Sequence, residues 1–328
     1  MESKFLKIDD EKQWQDLLAK ALFKTFFHQP KWEKFLESQF KWLRFEHYNY
    51  QDRALLSLVR INGKKLVSHP FCEYGGPLPL ANQMDIEEFQ NDLFSYFKKL
   101  RISFHPKILT YFTLPRNVKP QRTTYWIENL HQKTKDQIWS SFRKTLKHSI
   151  QKAEQQNLRI EKCQSEKELK YLYNLYIKSV KKHKTLAYPF SFFKYFLNFP
   201  NSEIILAKHN DKIIAGSVFL FYDKFIHYFQ NTVDEKYKNL GANYLILWHQ
   251  IQNYSGKNYQ VFDFGGTRIG SSLQIFKGGW GGQQYPIFEL NNPLKKDKLR
   301  NSKLRIVFGL LPLFLIKKLS PYLLKYKL

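Results

Sequence analysis

The residues best suited to chemistry gather in one stretch, 259–290, which reads YQVFDFGGTRIGSSLQIFKGGWGGQQYPIFEL. Residues 259–264 have the pattern of a short buried strand that ends on a charge, Asp263, and then on Gly265-Gly266, where the backbone turns at no steric cost. A second cluster, Phe276-Lys277-Gly278-Gly279-Trp280-Gly281-Gly282, sets one lysine among residues that let backbone and ligand approach closely. Two such clusters in a chain with only 14 glycines among 328 residues mark a candidate ligand site. Two tight turns around an edge hairpin fit the same pattern.

Other chemistries lack their residues. There is no Gly-x-Ser-x-Gly elbow, no His-Glu-x-x-His helix and no cysteine in a reactive setting, so neither a covalent nucleophile nor a metallohydrolase is indicated. Cys72 and Cys163 match no metal spacing and read as free thiols of a reducing compartment; no metal is expected. Residues 1–10 carry Glu2, Asp9 and Asp10 and no apolar secretory core, which predicts a cytoplasmic protein. Lys and Arg total 53 against 28 acids, a formal charge of +25 that suits a nucleic acid, an anionic lipid or a phosphate-bearing substrate. A lysine-rich composition that merely keeps the chain soluble explains the same balance. With 43% hydrophobic and 17% aromatic residues, the chain is globular and long enough for two cores of ordinary size.

The elements that must hold these residues recur in order. Residues 10–23 predict a helix with Asp10 and Gln13 as a capping box and Trp14, Leu17, Leu18, Ala21 and Leu22 on one face. Residues 30–40 predict a second helix that opens on proline. Strands at 54–61 and 65–68 flank Asn62-Gly63, a hairpin signal. Tyr74-Gly75-Gly76-Pro77 reads as a turn able to present N–H groups to a ligand, 86–100 as a helix and 107–114 as a strand. Then Ile138, Phe142, Leu146, Ile150 and Ala153 share one helical face, Ser165 with Glu168 caps another helix, and a third starts near Pro189. Strands at 204–209 and 213–222 flank the turn Asn210-Asp211; this hairpin, KHNDKIIAGS, parallels the earlier RINGKKLVS. A strand at 225–233 and a helix through Gln252 follow. The reading is α/β with two copies of one unit: 1–125, 126–292 with the donor site, and a basic tail, 293–328.

Strand, Val233-Asp234-Glu235-x-Tyr237-Lys238-x-x-Gly241-x-Asn243, helix, strand resembles the core of the GNAT acyltransferase fold, whose loop cradles a pyrophosphate at a helix N-terminus. Where the GNAT loop begins with Arg or Gln and ends with Gly or Ala, this chain has Lys238 and Asn243. The fuller resemblance is to the Fem-type peptidoglycan-bridge (aminoacyl) transferases and their FemAB-like relatives, which carry two such domains in tandem. It rests on Tyr74-Gly75-Gly76-Pro77, Lys147-His148-Ser149-Ile150-Gln151-Lys152-Ala153-Glu154, Leu240-Gly241-Ala242-Asn243, Asp263-Phe264-Gly265-Gly266 and Phe276-Lys277-Gly278-Gly279-Trp280-Gly281, in the family's order. The family helix has Arg where this chain has Lys147, and no long coiled-coil insertion of the kind some tRNA-dependent members carry is present.

The resemblance implies two tandem GNAT-like domains, with mixed central sheets flanked by helices, that transfer an acyl group to a primary amine. The donor would be aminoacyl-tRNA or acyl-CoA with no tightly bound cofactor, and the acceptor a cell-wall or surface-glycan precursor. Positioning the amine and stabilising the oxyanion supply the rate, so no nucleophilic residue is needed. Lys277 and Phe276 match the family's Phe-Lys motif, which places the ammonium near the donor's phosphate or the developing oxyanion. Asp263 would take a proton from the attacking ammonium or orient Lys277 or Arg268; capping the turn before Gly265 is the other reading. Gly278, Gly279, Lys238, Gly241 and Asn243 complete the donor side, and Tyr74, Gly75, Gly76, Arg143, Lys147 and Tyr228 the acceptor side. Tyr228 also reads as a packed sheet residue, and His227, on the opposite face, as a satisfied core or surface histidine. Arg143, Lys144, Lys147 and Lys152, with Lys178, Lys181, Lys182 and Lys184, suit an acceptor diphosphate or a tRNA stem; a solvated helix face also explains them.

The tail holds ten Lys or Arg against one Asp around the apolar run 306–316, broken by Gly309 and Pro312. Spanning a bilayer takes about 20 residues, so this run predicts a segment lying on the anionic inner face of the cytoplasmic membrane, or a helix docked on the core. A monomer is expected.

Overall fold

The computed structural model describes residues 3–61, 65–113, 120, 122–292 and 308–326. The turn Asn62-Gly63 and tail residues 293–307 lie outside them. The chain divides into two compact units: unit 1 from Met1–Thr123 and Tyr285–Lys298, with Leu328, and unit 2 from Thr124–Gln284 and Leu299–Lys327.

Unit 1 runs β1 (Phe5–Ile8), α1 (Glu11–Lys20), α2 (Pro30–Gln39), β2 (Phe45–Tyr50), β3 (Ala54–Ile61), β4 (Lys65–Ser68), β5 (Leu78–Pro79), β6 (Met84–Asp85), α3 (Ile86–Tyr96), β7 (Leu100–Phe104) and β8 (Phe112–Thr113). Asp10 starts α1 by accepting the Lys12 and Gln13 amides at 2.6 and 3.2 Å, and the helix buries Trp14 and Leu18 against Ile8, Leu55 and Leu78. The sheet order is β1-β2-β3-β4-β7, antiparallel except for the parallel pair β4–β7. A late strand, Gln283–Asn292, closes the far side by pairing antiparallel with β7.

Unit 2 runs β9 (Arg122–Ile127, within the unit from Thr124), α4 (Lys135–Ser141), α5 (Lys144–Glu154), β10 (Arg159–Lys162), α6 (Glu166–Lys182), α7 (Phe190–Asn198), β11 (Ser202–His209), β12 (Lys212–Tyr222), β13 (Phe225–Val233), α8 (Ala242–Tyr254), β14 (Val261–Asp263), β15 (Thr267–Arg268) and α9 (Ser272–Gly278). The strand Gln283–Asn292, β16, and α10 (Leu313–Leu323) end the order. The sheet is β10-β11-β12-β13-β14-β9, with β13–β14 its parallel pair. β12 is buried along nearly its whole length, as a central strand must be. The core beneath it joins Phe142, Leu146 and Ile150 to Ile246, Trp248, Phe262 and Trp280.

Apart from the two-residue strands β5 and β6, which unit 1 adds before α3, the two units repeat one order, β-α-α-β-β-β-α-β: β1-α1-α2-β2-β3-β4-α3-β7 and β10-α6-α7-β11-β12-β13-α8-β14. This corrects the hairpin match made from the sequence. RINGKKLVS joins β3 to β4, whereas KHNDKIIAGS joins β11 to β12, one strand earlier in the repeat. The true counterpart of Asn210-Asp211 (φ 48° and 61°) is Gln51-Asp52 (φ 49° and 54°), a left-handed turn without the usual Asn-Gly chemistry.

Other expectations shift for local reasons. The single helical face from Ile138 to Ala153 belongs to two helices, because Phe142 is extended (φ −69°, ψ 144°) and its ring packs on Trp248 and Trp280. The helix at 86–100 stops at Tyr96; of the strand placed at 107–114 only β8 forms, because residues 108–111 make a 3₁₀ turn after Pro106, and the longer strand, β7, lies earlier. Phe276 and Lys277 sit on α9, capped by Ser271, and not in a loop.

Candidate functional site

The site forms where two parallel strands part. β13 and β14 pair only at Phe225↔Val261, Ile226↔Phe262 and His227↔Asp263; β14 ends there, while β13 continues to Val233. Ligands of open α/β sheets bind beyond the carboxyl ends of parallel strands, where such a gap opens.

Tyr228 is the first residue past the last pair. Its hydroxyl donates to Asn243 Oδ1 at 2.9 Å, in the first turn of α8, and burial pushes its phenol well up, so it stays neutral. Just before α8, Gly241 has φ 73°, and a β-carbon there would lie 2.8 Å from Cβ of Ala153 on α5. Glycine is therefore required twice over, by conformation and by the close approach of the loop to α5. Lys238, in the same loop, is exposed and lies 4.0 Å from Glu235.

Asp263 is fully enclosed. Its Oδ1 accepts from Thr124 Oγ1 at 2.5 Å and from the Gly265 amide at 2.9 Å, and its Oδ2 lies 2.8 Å from His227 Nδ1. Lys277 is 5% exposed, and its Nζ donates to the carbonyls of Gly265 at 2.8 Å and Gly266 at 3.1 Å. Acid and ammonium thus grip the same turn: the Gly265 amide faces Asp263 and the Gly265 carbonyl faces Lys277. A charge held in such poorly hydrated surroundings acts more strongly on a neighbouring anion than it does in water.

The second glycine cluster serves packing. A β-carbon at Gly278 would come 3.2 Å from the Tyr125 ring, and one at Gly282 2.9 Å from the Trp126 carbonyl oxygen. Gly281 has φ 69° and lies against Ser141, and the Gly279 carbonyl accepts the Arg143 amide at 2.9 Å. These glycines let chain approach chain, where the sequence suggested a close approach of backbone to ligand. Phe276 packs on Tyr244 and Trp280.

The structure brings Asp263, Lys277, Tyr228 and Asn243 to this end of unit 2 and leaves other candidates apart. Arg268 is exposed on β15, whereas Asp263 is fully buried. Arg143 is exposed, and Lys147 Nζ donates to the Ser140 carbonyl at 3.0 Å. In unit 1, Tyr74 is fully enclosed against His105, and the Gly75 amide donates to the Ser103 carbonyl at 3.0 Å, so this turn does not offer that group to a ligand. Among the described residues, no three His, Cys, Asp or Glu are grouped to hold a metal ion.

Two features escaped the sequence reading. His227 is fully buried in the core, and its Nδ1 meets Asp263, directly across the parallel pair. Tyr125 carries a hydroxyl between Gln274 Nε2 at 3.2 Å and Gln284 Oε1 at 3.1 Å, beside Gly278; the partners lie 149 and 159 residues away, and no local pattern links them.

Residues 140–278 match the family model of the acetyltransferase (GNAT) domain. No curated protein sequence matches the chain. Among solved structures, FemX is similar at TM-score 0.56 and 13% identity, over 88% of this chain and 98% of that one. The C-terminal domain of a putative lysylphosphatidylglycerol synthetase from Agrobacterium fabrum gives TM-score 0.56 and 13% identity, over 85% and 93%. L-PGS from Bacillus licheniformis gives 0.50 and 12%, over 95% and 97%. At these identities the likeness is one of fold. The match to a GNAT-type domain thus falls within a fold that the chain shares with FemX and with the synthetase domains.

Proposed function

We propose that the chain transfers an activated acyl group to a primary amine by direct attack, with the donor held in unit 2. The observation that carries this reading is the parting of β13 and β14 after His227↔Asp263, beside the glycine-started helix α8 and inside the GNAT-matched stretch. The amine forms the new C–N bond, the carbonyl passes through an oxyanion, the donor's ester or thioester bond breaks, and the proton that the amine loses ends on the departing hydroxyl or thiol. Lys277 supplies the positive charge for that oxyanion or for a donor phosphate. Asp263 is a positioning residue that acts through the Gly265-Gly266 turn, with His227 and Thr124 fixing its orientation.

The donor is aminoacyl-tRNA or acyl-CoA, with Lys238, Gly241, Asn243 and Phe276 on its side. The acceptor is an amine on a peptidoglycan precursor or a lipid-linked surface glycan, met on the side of Tyr228. Similarity to FemX and to a synthetase named for lysylphosphatidylglycerol supports an activated amino acid as the group transferred. The protein works as a monomer in the cytoplasm, at the inner face of the membrane.

One observation favours a second reading. Lys277 and Asp263 both spend hydrogen bonds on the turn, as they would in a non-catalytic GNAT scaffold whose +25 charge binds RNA or membrane. Mass spectrometry of wall and surface glycan from cells with and without the protein separates the two. Acyl transfer predicts an amino-acid-sized or acyl-sized mass missing from an amine in the deleted strain. Identical material, together with tight salt-sensitive polyanion binding, favours the scaffold.

A further inference from the structure

Helix α10 uses only one face on its own protein. Ile316, Ser320 and Leu324, four residues apart, are fully enclosed where the segment packs on α6. Lys317 Nζ bonds Asn174 Oδ1 at 2.7 Å and lies 5.7 Å over the Tyr173 ring. At the start of the segment, Gly309 lies so close to Lys184 that a β-carbon would come 2.8 Å from the lysine's Cγ. These two tie points, 309 to 184 and 317 to 173–174, run the segment antiparallel to α6. The docked helix expected as one reading of the tail is thus present.

The outward face remains apolar. Leu310 is 77% exposed, Phe314 66% and Tyr322 69%, and with Lys318 and Tyr326 they form a stripe at four-residue spacing; Leu319 lies beside it. Residues 308–326 contain Lys317, Lys318 and Lys325 and no acid, and Lys178 stands exposed on the helix beneath, with Lys184 exposed just past its end. Outward leucine and aromatic side chains ringed by lysine stems are what an interface-lying helix presents to anionic headgroups. Among the described residues no helix is long and apolar enough to cross a membrane.

We propose that this outward face docks on an anionic lipid bilayer, with Leu310, Phe314, Leu319 and Tyr322 in the interface and Lys318, Lys325 and Lys178 at the headgroups. The charge selects this occupant over a second copy of the chain, because two such faces would bring lysines against lysines. The inference stands apart from acyl transfer, since α10 belongs to none of the proposed machinery.

Co-sedimentation of the full chain with vesicles of phosphatidylcholine, with and without phosphatidylglycerol, tests it. The chain should pellet with the anionic vesicles alone. Phe314→Ser combined with Tyr322→Ser should weaken that binding at least about tenfold at an unchanged melting temperature, because both side chains are removed from the outer face only. Three results would overturn the proposal: undiminished binding by the double variant, equal binding to both vesicles, or a concentration-dependent dimer that the double variant abolishes.

Discussion

Two parallel strand pairs, reached through the same order of elements, end differently. In unit 1, β4 pairs with β7 at Leu66↔Leu100 and Val67↔Arg101, and the chain then folds back onto β7. The Gly75 amide takes the Ser103 carbonyl, and Gly76 lies so close that a β-carbon would stand 2.7 Å from the same oxygen. In unit 2, β13 runs on alone past His227, and Tyr228, Asn243 and the Gly265-Gly266 turn stand at the opening. Unit 1 fills with its own backbone the place that unit 2 leaves at its site. One topology therefore carries a candidate site in one unit and a backbone closure in the other, made at Gly75-Gly76.

If unit 1 is a scaffold, changes there should cost stability and spare chemistry. The largest expected effect comes from acid. Glu33 on α2 is buried between His47, at 3.0 Å, and His69, at 3.1 Å, and accepts from Ser57 at 2.7 Å. Burial alone would raise its carboxyl; the hydrogen bonds and charge of His47 and His69 outweigh that and hold it at about 2, against 4.5 when unperturbed. The carboxylate's contribution is complete above pH 4.5 and is lost as pH falls toward 2, about 3 kcal/mol in all. His28 adds to this from higher pH. Burial and the neighbouring His69 hold its pKa well below 6.5, so below 6.5 the unfolded chain binds the proton first and stability drops. Urea unfolding across this range should show unit 1 failing before unit 2; loss of unit 2 first would break the comparison.

A smaller effect is expected from Gly76→Ala. The new methyl meets the Ser103 carbonyl and the Ile102 side chain, and a destabilisation of about 2 kcal/mol follows. Thermal melting should register it, while transfer per folded molecule stays as in the wild type. A loss of transfer without a loss of stability would return Gly76 to the acceptor site.

Much of this fold was legible in the sequence because its signals are local. Asp10 caps α1, Pro30 opens α2, and β13 has the limits its pattern predicted, each set by neighbours within a few residues. Asp263 at a strand end before Gly265-Gly266 was legible for the same reason. Long-range facts were not. The hairpins were matched one strand out of step because an Asn-Gly or Asn-Asp turn marks a hairpin without saying which one it is. The direction of Lys277 depends on α9, seven residues long and too short to show a period, and on a turn reached 11 and 12 residues back. His227 meets Asp263 only through the register of a parallel pair, and Thr124 reaches Asp263 across 139 residues.

The central claim is that unit 2's buried acid serves chemistry while unit 1's closure serves the fold. Label transfer by the purified protein, from aminoacyl-tRNA or acyl-CoA to a primary-amine acceptor, tests it most directly with wild type, Asp263→Asn and Gly76→Ala compared where all three are folded. The expected result is transfer by the wild type, a loss of at least about 100-fold in Asp263→Asn, as for removal of an element that sets oxyanion geometry, and near-normal transfer by Gly76→Ala. No product from either donor, or equal losses in the two variants, would contradict it.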